Sequence, residues 1–283
     1  MKKTLQFLAA LVLISFCTLS SCQKGILGND QNDDHGGDGK NKPHHAQVFL
    51  TDHQTPLFDS VFIDIQQLEI KVEDDNFGNE GWVVLDIRPG IYNILRFRNG
   101  IDTLFANGLL PNANIRKLRL TLGMQNSVMF NNQSSPLKIH DNDRQIVIDL
   151  ADNDFEIVGS DQVVFSIDFD AAGSIRSDNS GPGNNNGFEL KPHIKAFAKN
   201  KSGRIEGKVL PMAADVMVMA INGTDTTMAI PDDEDGEFKI VGLNAGIYTV
   251  FIDGQNGYVD MTINNVQVIK GEDTHIPTIT LHQ

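Results

Sequence analysis

Leu118, Leu120 and Leu122 alternate with Lys117, Arg119 and Thr121. A period of two puts the leucines on one face of a strand and the polar side chains on the other. The same alternation returns in Ile146, Ile148 and Leu150, with Val147 and Asp149 opposite, and again in Phe165, Ile167 and Phe169. From Val61 to Val72 the phase slips: Ile63 and Ile65 share one parity, whereas Leu68, Ile70 and Val72 share the other. A bulge near Gln66 or Gln67 keeps both sets on one face without ending the strand. Helical spacing is confined to Ile101, Leu104, Phe105 and Leu109 before Pro111, which predicts a short helix over 101–110.

The pattern changes scale at Lys199-Asn200-Lys201-Ser202-Gly203, a polar hinge that predicts a boundary between a domain over 46–199 and another over 203–283. Beyond it, about seven short strands are expected, at 204–210, 215–221, 226–230, 237–241, 247–252, 258–263 and 266–269, with an eighth at 276–281. Asn222-Gly223, Asp235-Gly236 and Asn256-Gly257 punctuate them, which indicates an antiparallel sandwich with Asp235-Gly236 closing a hairpin. The expected fold class is therefore all-β: a larger antiparallel sandwich-like domain followed by a small seven-stranded sandwich. With 283 residues, 40% of them hydrophobic, two such cores can be filled.

The N-terminus has a different character. Lys2 and Lys3 precede an apolar run from Leu5 through Phe16, and Leu19-Ser20-Ser21-Cys22 follows. The run is too short to span a bilayer as a helix. It resembles the signal peptide of bacterial lipoproteins, whose box has a branched apolar residue three before the cysteine and small residues between. That resemblance implies removal of residues 1–21 and lipidation of Cys22. Cys17 lies inside the leader, so the mature chain would keep one cysteine and no disulfide. Several acyl chains anchor stably where one holds only marginally. Gln23, where proteins retained at the inner membrane carry Asp, favours the outer membrane. Residues 22–45 are rich in Gly, Asn and Asp, as in Gly36-Gly37-Asp38-Gly39, and read as a flexible tether. Asp33 and Asp34 resemble the surface-export signals of some lipoproteins and point to cell-surface display.

Charge excludes one class of partner. The formal net charge is -14, and loss of Lys2 and Lys3 with the leader would leave 21 bases against 37 acids, or -16. Such a surface repels phosphate backbones, so nucleic acid is not an expected partner; the acidity also serves solubility.

Two further resemblances cover the body. Arg204-Ile205-Glu206-Gly207-Lys208-Val209, Asp235-Gly236-Glu237-Phe238, Ala245-Gly246-Ile247-Tyr248-Thr249-Val250 and Asn265-Val266-Gln267-Val268 resemble the carboxypeptidase regulatory-like domain. That resemblance implies a transthyretin-like sandwich, an accessory module sometimes grouped with carbohydrate-binding-like folds and without catalytic residues. Leu50-Thr51-Asp52, Val61 to Ile70, Trp82 with Leu85, Tyr92 to Leu95, Ile115 to Leu120, Asp168-Phe169-Asp170-Ala171-Ala172 and Leu190 to Ile194 resemble the domain of unknown function 4382, over roughly 46–197. It implies an exported protein and adds no chemistry.

The chemical candidates stand on their own residues. Asp168 and Asp170 lie two apart, so on one strand both carboxylates would share a face, where with Asp149, Asp152 or Asp154 they could bind calcium or act as an acid and base. Alternation of this kind is also common on surface strands. His35, His44, His45 and His53 match no ligand spacing. The acidic turn Asp232-Asp233-Glu234-Asp235-Gly236 has Pro231 where a calcium loop needs its first ligand, and 181–187 reads as a polar loop. No nucleophile elbow, zinc motif, phosphate loop or dinucleotide fingerprint is present in the sequence. The expectation is therefore no catalytic residue, no metal and no cofactor. A lipid-anchored envelope protein that binds glycan or protein ligands is the favoured reading; a scaffold or assembly subunit joined through strand edges is the alternative.

Overall fold

The long strand Ser60–Glu73 organises the first half of the chain, because four other strands hydrogen-bond to it. Its register against Asn114–Leu122 shifts between Ile65 and Gln67, which is the expected bulge. The shift leaves Ile63, Ile65, Leu68 and Ile70 all fully buried. The computed structural model describes residues 43–52, 57–73, 79–111, 113–150, 162–177 and 187–283. The leader 1–21, Cys22, Cys17, the tether as far as residue 42, His35, His53, Asp152, Asp154 and residues 181–186 lie outside the described residues.

The chain is all-β, and the sheets are mostly antiparallel. Ser60–Glu73 belongs to a nine-stranded sheet. A five-stranded sheet runs Ile194–Ala198, Gln162–Phe169, His44–Thr51, Thr103–Leu110, Asp86–Ile87. Parallel pairing enters where His44–Thr51 meets Gln162–Phe169, and where Gln133–Ile139 meets Phe188–Leu190. The facing apolar sides form one cluster that includes Val48, Leu50, Leu118, Leu120, Phe165, Ile167 and Phe169.

The helix expected over 101–110 is instead the strand Thr103–Leu110, paired with His44–Thr51. Phe105, Ala106 and Leu110 are buried while Leu104 and Leu109 stay exposed. Sheet pairing overrides the spacing, and Gly108 contributes by leaving room for Leu85, whose Cδ2 would lie 2.7 Å from an added Cβ.

A second apolar cluster runs from Ile205 to Leu281 and includes Val218, Phe238, Tyr248, Val250 and Ile252. Around it stand two four-stranded sheets. One runs Asp225–Ala229, Met217–Asn222, Gly246–Asp253, Met261–Val268; the other joins Glu237–Leu243, Gly203–Leu210 and Asp273–His275, with Ile279–Thr280 also on Gly203–Leu210. The two strands expected at 258–263 and 266–269 are a single strand, Met261–Val268. Its register slips opposite Tyr248 and Val250, with Asn265 at φ 61°, so Ile263 and Val266 both face the core. The C-terminal stretch is parallel to Gly203–Leu210, and not purely antiparallel as expected.

Asn222-Gly223 does close a hairpin, with Asn222 opposite Asp225. Asp235-Gly236 does not: it carries the chain from one sheet to the other. Gly236, at φ +80°, has Val209 O at 2.3 Å from where a Cβ would stand, so a side chain is excluded on two counts.

On the outer side of the nine-stranded sheet, Glu69 and Arg119 sit directly opposite each other. They form a bidentate pair of 2.5 and 2.6 Å, with the Arg119 guanidinium 4.1 Å from the Trp82 ring. Glu69 is only 4% exposed, and its hydrogen bonds hold the Arg119 pKa above the ordinary value. An Arg119→Met substitution strands that carboxylate and is expected to cost about 3–5 kcal/mol, read as a lowered urea midpoint with unchanged m-value. The double variant Glu69→Met/Arg119→Met is expected to recover most of the loss.

Candidate functional site

The outward face of the sheet built on Gly203–Leu210 carries charge, not apolar bulk. Lys239 Nζ lies 2.7 Å from Glu206 and 3.5 Å from Asp273; His275 Nδ1 is 2.8 Å from Glu206, and Arg204 pairs with Asp273. The Arg204 hydrogen bond, with help from Lys239, holds the Asp273 carboxyl below the usual range. This face turns toward the first apolar cluster: Lys239 Cδ approaches Gly100, Phe197 approaches Gly242, and Asn99 donates to Ile230 O at 2.9 Å. A seam closed by ion pairs and a few close contacts does not pack solid, and hollows remain along it.

One hollow of about 510 Å³ lies beside Asn99, Ile101, Glu206, Lys208, Asp232 and His275. A second of about 390 Å³ is bordered by Asp168, Lys195, Phe197, Asp225 and Tyr248, and a third of about 220 Å³ by Asp102, Lys199, Arg204 and Asp273. These fall in or near the size range of ligand sites. Ile101 stands 59% exposed at the mouth of the first, an apolar contact at the rim of a charged cleft.

Asp168 and Asp170 do not share a face. Asp168 is in the strand Gln162–Phe169, but the chain leaves the strand before Asp170, which caps the helical turn Ala171–Ser174. Its Oδ1 accepts from Gly173 N at 2.8 Å and its Oδ2 lies 2.9 Å from His193 Nδ1. Asp149, the expected companion, pairs with Lys117 at 2.7 Å at the end of the strand Gln145–Asp149, and it borders the second hollow together with Asp168. His44 is buried and the adjacent His45 exposed, on opposite faces of one strand. Among the described residues no group of three or more His, Cys, Asp and Glu side chains is placed to hold a metal ion. No helix among them is long and apolar enough to cross a membrane.

The structure adds one residue that sequence patterning did not single out as chemistry. Asp52 follows the strand His44–Thr51 and is 7% exposed, and neither carboxylate oxygen has a donor in good hydrogen-bond geometry, the Ala171 amide being near but poorly placed. Its own amide donates to Phe97 O at 3.0 Å, as does the Thr51 hydroxyl, which pins the segment and holds the side chain inside. Burial, then the negative charge of Asp168, raises its pKa well above the carboxylate range, against the pull of the Ala171 amide. The signal was a lone acid after an apolar strand, and nothing in its neighbours marks it as buried.

Residues 45–192 match the family described as Domain of unknown function (DUF4382). No curated protein matches the chain. Among solved structures, a type II cohesin–X-dockerin complex from Acetivibrio cellulolyticus is 24% identical over 28% of this chain and 56% of that chain, with a TM-score of 0.22. A fimbrial protein from Bacteroides ovatus is 8% identical over 85% of this chain and 50% of that chain, with a TM-score of 0.23. The chain thus spans about half the length of those solved chains, and neither likeness carries a functional argument.

A raised carboxyl pKa has a definite sign in stability. Between the unfolded value of about 3.9 and the raised folded value, the native state binds more protons at Asp52 than the unfolded chain does. Stability therefore falls as pH rises through that window. In buffer without divalent salts, Asp52→Asn is expected to flatten this slope and raise the urea midpoint at neutral pH; an unchanged slope would refute the assignment.

Proposed function

The chain belongs to the DUF4382 family, and since that membership specifies no chemistry, we propose from its own residues that it is a lipid-anchored binding or adhesion protein of the outer membrane, exposed at the cell surface. Cys22 carries the anchor, and the segment between it and the strand that begins at His44 serves as the spacer that lifts the folded body off the lipid, two residues shorter than the sequence suggested. A carboxypeptidase regulatory-like sandwich follows the DUF4382 domain in this reading. The protein works by binding and not by catalysis.

The observation that carries this reading is the 510 Å³ cleft, where Glu206, Lys208, Asp232, Asp235, Glu237 and His275 surround the exposed Ile101. Charges of both signs around an apolar contact suit an extended segment of a protein ligand. A sugar ring is served less well: the aromatic ring bordering the cleft is Phe238, which is buried and offers no face for stacking. The scaffold alternative draws its support from the eight-residue strand Met261–Val268, which stands at the end of its sheet.

Two experiments test the proposal. Mass analysis of the protein from its native envelope is expected to find a chain beginning at an acylated Cys22; an unmodified start at Met1 would refute the anchor. Photo-crosslinking groups placed at Ile101 and Thr278 are expected to trap a discrete envelope protein in intact cells, with yield cut about tenfold by Lys208→Glu. Glycan-array hits sensitive to Lys208→Glu, with no protein adduct, would replace the protein ligand by a carbohydrate.

A further inference from the structure

We propose that Asp52 and Asp168 hold a hard divalent cation, calcium in preference to magnesium, at the seam between the two apolar clusters, independently of what the neighbouring cleft binds. The two carboxylates are brought together by register. His44–Thr51 runs parallel to Gln162–Phe169 with Thr51 opposite Asp168, so Asp52 emerges beside the end of the same strand.

Asp52 is the group that calls for a ligand. An ionised carboxylate withdrawn from water needs donors or a counter-ion, and this chain supplies them elsewhere. Asp64 is buried to the same degree, 6% exposed, yet receives Gln66 Nε2 on one oxygen and Gln125 N on the other at 3.1 Å. Asp52, 7% exposed, has no donor in good hydrogen-bond geometry on either oxygen, and the nearby Ala171 amide offsets its burial only in part. The charges around it deepen the need: Asp168 and Asp170 are both negative, and the nearby Arg98 is exposed to solvent. His193 is turned to Asp170, 2.9 Å away.

The space beside Asp52 fits one small particle. A void of about 10 Å³ is bordered by Asp52 and Asp168 together with Thr51, Asn99, Thr227 and Lys239, whose Nζ is engaged by Glu206 and Asp273; the volume is on the scale of a single water or ion. Apart from Lys239, whose ammonium is taken up by Glu206 and Asp273, the polar side chains that border it carry oxygen, and neither thiol nor imidazole is among them. An oxygen shell suits calcium or magnesium and not zinc. Because no third acid converges, neutral oxygens or water complete the shell, which places the dissociation constant at about 10⁻⁴–10⁻³ M. Magnesium demands a near-regular octahedron, whereas a shell assembled from two strand ends and a facing strand is irregular, which calcium tolerates. Thr227 belongs to Asp225–Ala229 of the second sandwich, so the ion would tie that sandwich to the first.

The test is a calcium titration of the full-length protein at constant ionic strength, followed by thermal unfolding and by equilibrium dialysis with radioactive calcium. The wild type is expected to bind about one ion and to gain several degrees in Tm at about 5 mM calcium, with a smaller gain from magnesium. Asp52→Asn is expected to unfold at a higher temperature than the wild type without calcium and to lose the calcium response. Asp168→Asn is expected to weaken binding at least about tenfold, and it serves alone if Asp52→Asn does not fold. No saturable binding by the wild type, or the same response in either variant, would overturn the site and leave a water molecule or a proton in its place.

Discussion

An extra residue in a strand, placed where the apolar phase slips, is the constraint on which this molecule rests. In Ser60–Glu73 the slip at Gln66 lets Ile63 and Ile65 face the same core as Leu68 and Ile70. Without it, one of the two sets would point outward for its whole length, because the side chains of a strand alternate. Four strands pair with this one, so their faces inherit its phase. Met261–Val268 repeats the device at Asn265, where it turns Ile263 and Val266 inward together. Both sandwiches are thus held in register by a local irregularity that costs a backbone distortion and keeps a continuous apolar face.

The consequences reach the seam. Both cores use their apolar residues internally, and the sheet face turned toward the first cluster is held by Glu206, Lys239, Asp273 and Arg204. Ion pairs of this kind satisfy one another at fixed distances and leave space between, unlike interdigitated hydrocarbon. The hollows at 510, 390 and 220 Å³ follow from that. The proposed binding surface therefore lies in what the sandwiches leave uncovered, not in a dedicated loop. Asp52 lies at the same place for the same reason: the strand that carries it ends at the seam.

The alternation of Leu118, Leu120 and Leu122, the slip in 61–72 and the order of the short C-terminal strands specify β-structure, because burial against a sheet face demands a period of two. The sequence determined fold class, most of the strands and the first bulge. It did not determine which strands join. The spacing of Ile101, Leu104, Phe105 and Leu109 suits a helix face as well as a strand, and only pairing with His44–Thr51 decides for the strand. The second bulge looked like a gap between two strands, since the partner that holds it in register, Gly246–Asp253, is visible only once the sheet forms.

The same division runs through the chemistry. Asp168 and Asp170 were legible as a pair by spacing, yet the strand ends between them and Asp170 becomes a cap. Asp52 is not legible as chemistry, because local sequence does not report that a parallel neighbour will set a second carboxylate beside it. Residue types and their periods are local properties, so the sequence alone determined which side chains turn inward. Which charges meet at a strand end depends on contacts between residues more than a hundred positions apart, and only the tertiary structure decided that.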